Sequence, residues 1–302
     1  MLSPIETLSA VRAAAIKKAN SSAKKLFILS FLAGLFIAFA ALASTIAAMN
    51  LLKNPETFGL GKLVQGLVFA GGLIMVVLGG AELFTGNSLM ITALLSKEIS
   101  LKKLLRNWGI VYLGNFLGAF FLAACASAAH LFAYNGGLLG STFISIANQK
   151  ISLEFWPALI LGLLCNILVC LAVWFAFSAK TTQGKILAII FPILIFIICS
   201  FEHSIANMFY IPAGFFASGT VNFFLSSLLH NLIPVTLGNI LGGGLFVATA
   251  YSFSLNNDKI NLCTSEITQK NQKTNTKPQK IQSNQKSQKS QKNPKPKKSP
   301  KK

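Results

Sequence analysis

Two short segments place a carboxylate and a carboxamide inside otherwise apolar stretches. Glu82 is followed by Asn87, and Glu202 and Asn207 repeat the same spacing 120 residues later. A buried carboxylate is costly unless hydrogen bonds or an ion pair compensate it. We therefore expect each glutamate to accept hydrogen bonds from its asparagine or from nearby backbone N–H groups, and so to stabilise an interruption of a helix.

His203 follows Glu202 directly and lies in the middle of an apolar stretch. Imidazole titrates near physiological pH, so it can donate a proton to a weak-acid anion or bind that anion by a charge-assisted hydrogen bond. A structural histidine is the alternative. The adjacent carboxylate and the interrupted helix favour the functional interpretation.

The chain around these segments is too apolar for an ordinary soluble domain. Of its 302 residues, 53% are hydrophobic and 12% charged, and the mean hydropathy is +0.61. Runs long enough to cross about 30 Å of hydrocarbon occur near residues 26–49, 63–95, 108–133, 153–178, 185–213 and 228–255. The sequence predicts an all-α membrane protein with six transmembrane helices, of which the second and fifth are broken.

An internal repeat relates the two halves of the chain. Residues 107–118 align with 231–242, and seven of the twelve positions are identical. Each copy contains three spans, an odd number, so the two copies must enter the membrane from opposite sides. Inverted repeats with broken helices indicate a transport site near the midplane. Half-helix N-termini that face such a site favour an anion.

The distribution of charge predicts topology. Lysine and arginine are concentrated before the first span, after the second and after the fourth, which predicts a cytoplasmic (inner) membrane protein with both termini in the cytoplasm. Residues 1–25 are predicted to form an amphipathic segment that begins with a capping box at Ser3 and Glu6. Residues 26–255 form the six-span domain.

Residues 256–302 form a basic tail. They contain 13 lysines against two acidic residues, so most of the formal charge of +19 lies here. Few apolar residues are present to offset the entropy of folding, and we predict disorder. The tail is either a solvated tether or a contact with anionic membrane lipid. Nucleic acid is not an expected partner, since no aromatic residues alternate with the lysines.

Metal and cofactor chemistry is not predicted. The five cysteines lack a CxxC pair, and the three histidines are widely spaced. Four cysteines lie in apolar stretches and are expected to be small core residues. A membrane enzyme or metal-dependent oxidoreductase is therefore the weakest of the alternatives.

Five segments together resemble the formate/nitrite transporter family over about residues 3–255. They are residues 80–87, 107–115, 170–174, 201–208 and 231–239. The resemblance implies an aquaporin-like protomer, assembled as a homopentamer with one path through each protomer. It also implies transport of a small monovalent anion, for which we expect formate first and nitrite next. Because an unpaired charge is costly in an apolar constriction, we further expect protons as coupled partners, with protonation near His203, and no cofactor.

The same resemblance assigns residues to the path. Its polar positions fall on Thr85, Asn166, Glu202, His203 and Asn239. Its apolar constrictions fall on Phe69, Leu73, Leu83 and Phe196, and its vestibule lysines on Lys25 and Lys150.

The motifs leave the substrate open. Residues 84–87 look more like the nitrite and hydrosulfide branches of the family, whereas residues 202–212 look like the formate branch. Hydrosulfide, lactate and acetate therefore remain alternatives. A neutral-solute pore of the aquaporin kind is a further hypothesis, but it would need an Asn-Pro-Ala motif at both breaks, and neither break has one.

Overall fold

A computed structural model of the chain describes residues 1–220 and 224–255, and all regular secondary structure in these ranges is helical. The α-helices are α1 Pro4–Ala19, α2 Ala23–Lys53, α3 Phe58–Leu78, α4 Ile91–Leu95, α5 Leu101–Ala128, α6 Leu138–Ile151, α7 Phe155–Ser178, α8 Thr182–Ile198, α9 Ser204–Ser218 and α10 Phe224–Ile240. A π-helical stretch, Leu241–Thr249, continues α10. The predicted basic tail and Cys263 lie outside the described residues.

The described helices form six membrane spans, two of them interrupted. Five described helices are each long and apolar enough to cross a bilayer: α2, α5, α7, Phe224–Leu255 and Pro55–Leu78, the last of which contains α3. The second span consists of α3 and the short apolar helix Gly86–Leu95, and the fifth consists of α8 and α9. The predicted breaks in the second and fifth spans are therefore confirmed.

Two helices precede the three-span units. At the start of α1, the Ser3 hydroxyl accepts from the Glu6 N–H at 3.3 Å and Glu6 Oε2 accepts from the Ser3 N–H at 2.7 Å, which confirms the capping box. These two hydrogen bonds hold the pKa of Glu6 below its usual range, and the bond from the Ser3 backbone has the larger effect.

Helix α6 is not predicted from the sequence. It precedes the second three-span unit as α1 precedes the first.

Glycines allow corresponding helix pairs to approach closely. A Cβ at Gly118 on α5 would overlap the backbone of Phe31 on α2. A Cβ at Gly242, in the π-helical stretch that continues α10, would overlap the backbone of Leu163 on α7. Small residues at such contacts let membrane helices pack backbone to backbone. Since Gly118 and Gly242 are aligned in the repeat, the same packing occurs in both copies.

The hydroxyls of Tyr112 and Thr236 lie 2.9 Å apart and share a hydrogen bond. The two residues occupy the same position in the aligned segments 107–118 and 231–242. A contact between equivalent positions of two copies lies at the axis that relates them. This hydrogen bond therefore marks the pseudo-two-fold axis of the inverted repeat.

The cysteine prediction is correct in part. Cys165 and Cys170 on α7 are fully buried, as expected of small core residues. Cys125 and Cys199 are exposed. They lie near helix ends, on faces that no other described helix of the protomer covers, so apolar sequence context alone did not indicate burial.

Candidate functional site

The first break, residues 79–85, is held by Glu82. Its carboxylate lies 3.1 Å from the Lys18 ammonium of α1 and accepts a 2.8 Å hydrogen bond from the Asn87 amide. Asn87 in turn donates to Asn107 at 2.9 Å. The glutamate is 8% exposed. The predicted hydrogen bond between Glu82 and Asn87 is present, and an ion pair to α1 adds to it.

The second break, residues 199–203, is held in the same way. Glu202 lies 2.9 Å from the Lys150 ammonium of α6 and accepts from the Asn207 amide at 2.6 Å. Asn207 donates to Asn231 at 2.7 Å. Each element has its counterpart in the first copy. Helices α1 and α6, which precede the two three-span units, therefore have the same structural role. Each supplies the lysine that neutralises a glutamate inside the bilayer.

Two further asparagines satisfy the backbone of the breaks. Asn115 accepts from the Phe84 N–H at 2.9 Å and donates to the carbonyls of Ser30 and Glu82. Asn239 accepts from the Ser204 N–H at 2.9 Å and donates to the carbonyls of Gly162 and Glu202. Backbone groups freed at membrane depth must find partners within the protein. One side-chain amide per copy bonds to two backbone groups of the break and to one carbonyl of the neighbouring helix, α2 or α7.

His203 and Thr85 join the two breaks. His203 Nε2 lies 2.9 Å from the Thr85 hydroxyl, and its Nδ1 accepts from the Ala206 N–H at 3.2 Å, which caps the start of α9. Because a backbone N–H can only donate, Nδ1 carries no proton, and we infer that Nε2–H donates to Thr85. The threonine O–H then remains available to donate to a further group.

Two cavities approach this pair. The first has a volume of about 230 Å³ and is lined by Leu73, Leu83 and residues of α1. The second has a volume of about 310 Å³ and is lined by Phe196, His203 and residues of α6. Phe196 packs edge-on against Phe69 with ring centroids 5.6 Å apart. Of the predicted constriction residues, Leu73 and Leu83 thus line the first cavity and Phe196 the second, whereas Phe69 is buried against Phe196.

The cavities lie at opposite ends of the protomer. On α3, Lys62 lines the second cavity and Val76 lines the first, a separation of about 21 Å along the helix axis. On α8 the order is reversed, because Lys185 lines the first cavity and Phe196 the second. The two helices pack antiparallel, as an inverted repeat requires.

Five predicted residues line neither cavity: Lys25, Phe69, Thr85, Asn166 and Asn239. Lys25 is exposed in the first turn of α2 and lines only a shallow surface pocket. Asn166 and Asn239 are fully buried and line neither cavity. The Asn166 amide donates to the carbonyls of Thr85 and Asn239 at 3.2 and 2.6 Å. In the structure, both asparagines hold backbone around the central pair.

Three lysines that line the cavities are not among the residues predicted from the sequence: Lys18, Lys62 and Lys185. Lys18 takes the place expected for Lys25, because α1 ends at Ala19 and its last turn faces Glu82. A signal was available. Residues 18 and 150 are both lysines 132 residues apart, and the Glu82 and Glu202 N–H groups bond to Leu29 and Leu161, also 132 residues apart.

Comparison with known proteins identifies relatives of the chain. A sequence profile of the formate/nitrite transporter family matches residues 5–253. The chain is 40% identical over 266 residues to a probable formate transporter of Methanothermobacter thermautotrophicus, covering 83% of this chain and 96% of that protein. It is 39% identical over 263 residues to the formate channel FocA of Haemophilus influenzae, covering 82% and 92%.

Solved structures give the same result. A pentameric formate channel with formate bound is 38% identical, with a TM-score of 0.67 and coverage of 77% of this chain and 97% of that one. An ion channel of the same family is 31% identical, with a TM-score of 0.72 and coverage of 82% and 98%. These similarities extend over nearly all of the described residues. The chain therefore belongs to the formate/nitrite transporter family.

Proposed function

We propose that the chain transports formate across a cytoplasmic membrane, with a proton taken up by the anion near His203. The observation that carries the proposal is the buried Thr85–His203 hydrogen bond, at 2.9 Å, between two cavities that each contain more lysines than glutamates. Formate is the substrate because the relatives described above are named as formate channels or transporters.

The apolar constriction determines the form in which the substrate crosses. A charged group at the centre of a bilayer costs about 3 kcal/mol or more, and Leu73, Leu83 and Phe196 offer it no hydrogen bonds. A neutral acid avoids most of this cost. At the centre, the Thr85 O–H donates to the entering carboxylate while His203 Nε2–H holds the threonine oxygen in place.

Assembly and orientation are parts of the same proposal. The similar solved channel is described as pentameric, and we propose a homopentamer in which each protomer has its own path. The lysine distribution supports cytoplasmic termini. Native mass spectrometry of the detergent-purified protein tests the pentamer, and a mass of any other oligomer would contradict it.

The main experiment measures uptake of labelled formate and nitrite into proteoliposomes at several pH values. Potassium and valinomycin set the membrane voltage. We expect uptake that rises as pH falls, responds little to voltage and is lost in His203→Phe. His230→Phe is the matched control, because His230 is exposed and its ring bonds to the Leu153 carbonyl, away from Thr85.

Other outcomes discriminate between the hypotheses. Voltage-driven formate current without acid stimulation would exclude proton coupling but retain formate as substrate. Faster uptake of nitrite than of formate would change the substrate. Uptake of glycerol, with neither anion transported by well-folded protein, would favour the neutral-solute pore.

A further inference from the structure

Each cavity contains two lysines and one glutamate. In the second cavity, Lys150 is paired with Glu202 at 2.9 Å. Lys62 lines the same cavity, and its ammonium donates to the neutral hydroxyl of Ser200 at 2.7 Å. One positive charge is therefore compensated by a carboxylate in contact with it, and the other is not.

The first cavity has the same composition. Lys18 is paired with Glu82 at 3.1 Å, and Lys185 lines the cavity without an ion pair among the described residues. Lys62 lies near the start of α3 and Lys185 near the start of α8. The antiparallel packing of these helices directs one such lysine to each end of the protomer.

Whether a lysine is paired with a carboxylate determines the distance over which its charge attracts an anion. The field of an ion pair falls off as that of a dipole, whereas an ammonium without a carboxylate partner acts over about 8–10 Å at physiological salt. Within a cleft that has low-dielectric walls, such a charge raises the local concentration of counter-ions. The paired lysines stabilise the breaks, and the excess charge of each cavity resides on the second lysine.

We propose that Lys62 and Lys185 are the residues that capture the substrate anion, one in each cavity, and that Lys18 and Lys150 serve mainly to hold the broken helices. The ligand is a small monovalent carboxylate, so the assignment rests on the proposed function. In the second cavity, the buried amide of Gln65, one turn along α3 from Lys62, adds a neutral hydrogen-bond donor.

A structural role for Lys62 is the alternative. Its bond to Ser200 contacts a residue with φ of +56°, in the turn that follows α8. If Lys62 served only to hold this turn, its replacement would lower the amount of active protein and the maximal rate. The substrate concentration at half-maximal rate would not change.

The experiment measures initial rates of labelled formate uptake as a function of formate concentration, in about 20 mM and about 300 mM salt. We expect Lys62→Gln to raise KM about three- to tenfold at low salt, with a maximal rate within about twofold of wild type. The variant should also lose most of the salt dependence of KM. Lys62→Arg should retain the wild-type KM, because the charge is kept.

Lys53→Gln is the matched control. Lys53 is an exposed lysine in the last turn of α2 that lines neither cavity. An equal rise of KM in Lys53→Gln would assign the effect to general surface charge and overturn the proposal. So would an unchanged KM in Lys62→Gln with reduced maximal rate. Both results require an active wild type, whereas absence of formate uptake by folded wild-type protein would refute the proposed function itself.

Sidedness gives a second test. Because the cavities lie at opposite ends, Lys62→Gln should raise KM for transport from one membrane face and Lys185→Gln from the other. Right-side-out and inverted vesicles separate the two directions. Lys102→Gln, an exposed lysine in the first turn of α5, is the control for Lys185. If both variants affected the same face, or neither affected a face selectively, the assignment would be wrong.

Discussion

The two breaks share their supporting contacts and differ at their centres. In both, a glutamate binds a lysine and an asparagine, and a second asparagine serves three backbone groups. The equivalent central positions are Leu83 and Thr85 in the first break and His203 and Ile205 in the second. The central hydrogen bond joins Thr85 to His203, and these two residues are not equivalent.

This difference separates two physical demands. An interrupted helix in a membrane must satisfy its free backbone groups wherever it occurs, so the supporting contacts are the same in both copies. The chemistry at the centre needs only one imidazole and one hydroxyl. Changes to the supporting contacts should therefore lower the stability of both copies by similar amounts, except where the two contacts differ in solvent exposure. Changes to the central residues should affect the two copies differently.

The largest expected effect is loss of a supporting ion pair. Glu202→Leu leaves the Lys150 ammonium buried without its carboxylate and should cost about 3–5 kcal/mol of folding free energy. Glu82→Leu should cost less, because the Lys18 side chain is 27% exposed and that of Lys150 is 14% exposed. Thermal unfolding in detergent, followed by size-exclusion chromatography, measures both. Equal losses would contradict the ranking by exposure.

Removal of the second asparagine should affect both copies equally. Asn115→Ala and Asn239→Ala each remove three hydrogen bonds from buried backbone groups, at a cost of about 2–4 kcal/mol. Asn148→Ala is the control, since Asn148 is exposed on α6. The same unfolding measurement applies. A loss of stability in only one of the two variants would show that the asparagine contacts do not stabilise the two copies equally.

The central positions should respond unequally. Thr85→Val keeps the shape of the side chain but removes the acceptor of His203 Nε2–H, and formate uptake should fall about tenfold. Ile205→Val, at the equivalent position of the other copy, should cost about 1 kcal/mol of stability and leave uptake unchanged. Initial uptake rates test the pair. Similar losses of uptake would refute a special role for the Thr85–His203 contact.

The smallest effect concerns the start of α1. Because the pKa of Glu6 is lowered in the folded state, its contribution to stability is fully present above the ordinary glutamate pKa of about 4.3 and is lost as pH falls through the folded value. Helix α6 has Gly137 at its N-cap and no side-chain cap. A spin label at exposed Ser9 should therefore gain mobility in acid, and a label at exposed Ser141 on α6 should not.

Ser3→Ala provides the control for this last prediction. It removes the capping hydroxyl at a cost of about 1 kcal/mol of local helix stability. The label at position 9 should then be more mobile at neutral pH and should respond less to acid. An unchanged response would exclude the capping box as its cause.

The sequence predicted the spans and both breaks because each can be recognised from consecutive residues. A span is indicated by the length of an apolar run, and a break by polar residues within that run. It also predicted that Glu82 would bond to Asn87, since a buried carboxylate must find a partner nearby. The ion pairs to Lys18 and Lys150 were not predicted. A lysine 64 or 52 residues away has no local relation to its glutamate. The two lysines are 132 residues apart and the two glutamates 120, so no single repeat offset relates one ion pair to the other.

The missed helix α6 has a similar explanation. It is 14 residues long, too short to span a bilayer, and it begins without a capping side chain. Neither the length criterion nor a capping motif identified it. Lys62 and Lys185 lie near helix starts beside predicted loops, and the sequence alone does not distinguish exposure to a cavity inside the protein from exposure to bulk water.

The order of residues in the two ion pairs bears on biosynthesis. Lys18 precedes Glu82 in the chain, and Lys150 precedes Glu202. Since synthesis proceeds from the N-terminus, each ammonium leaves the ribosome before the carboxylate that it neutralises. The lysine that neutralises each buried glutamate is thus already part of the nascent chain when the broken helix is made.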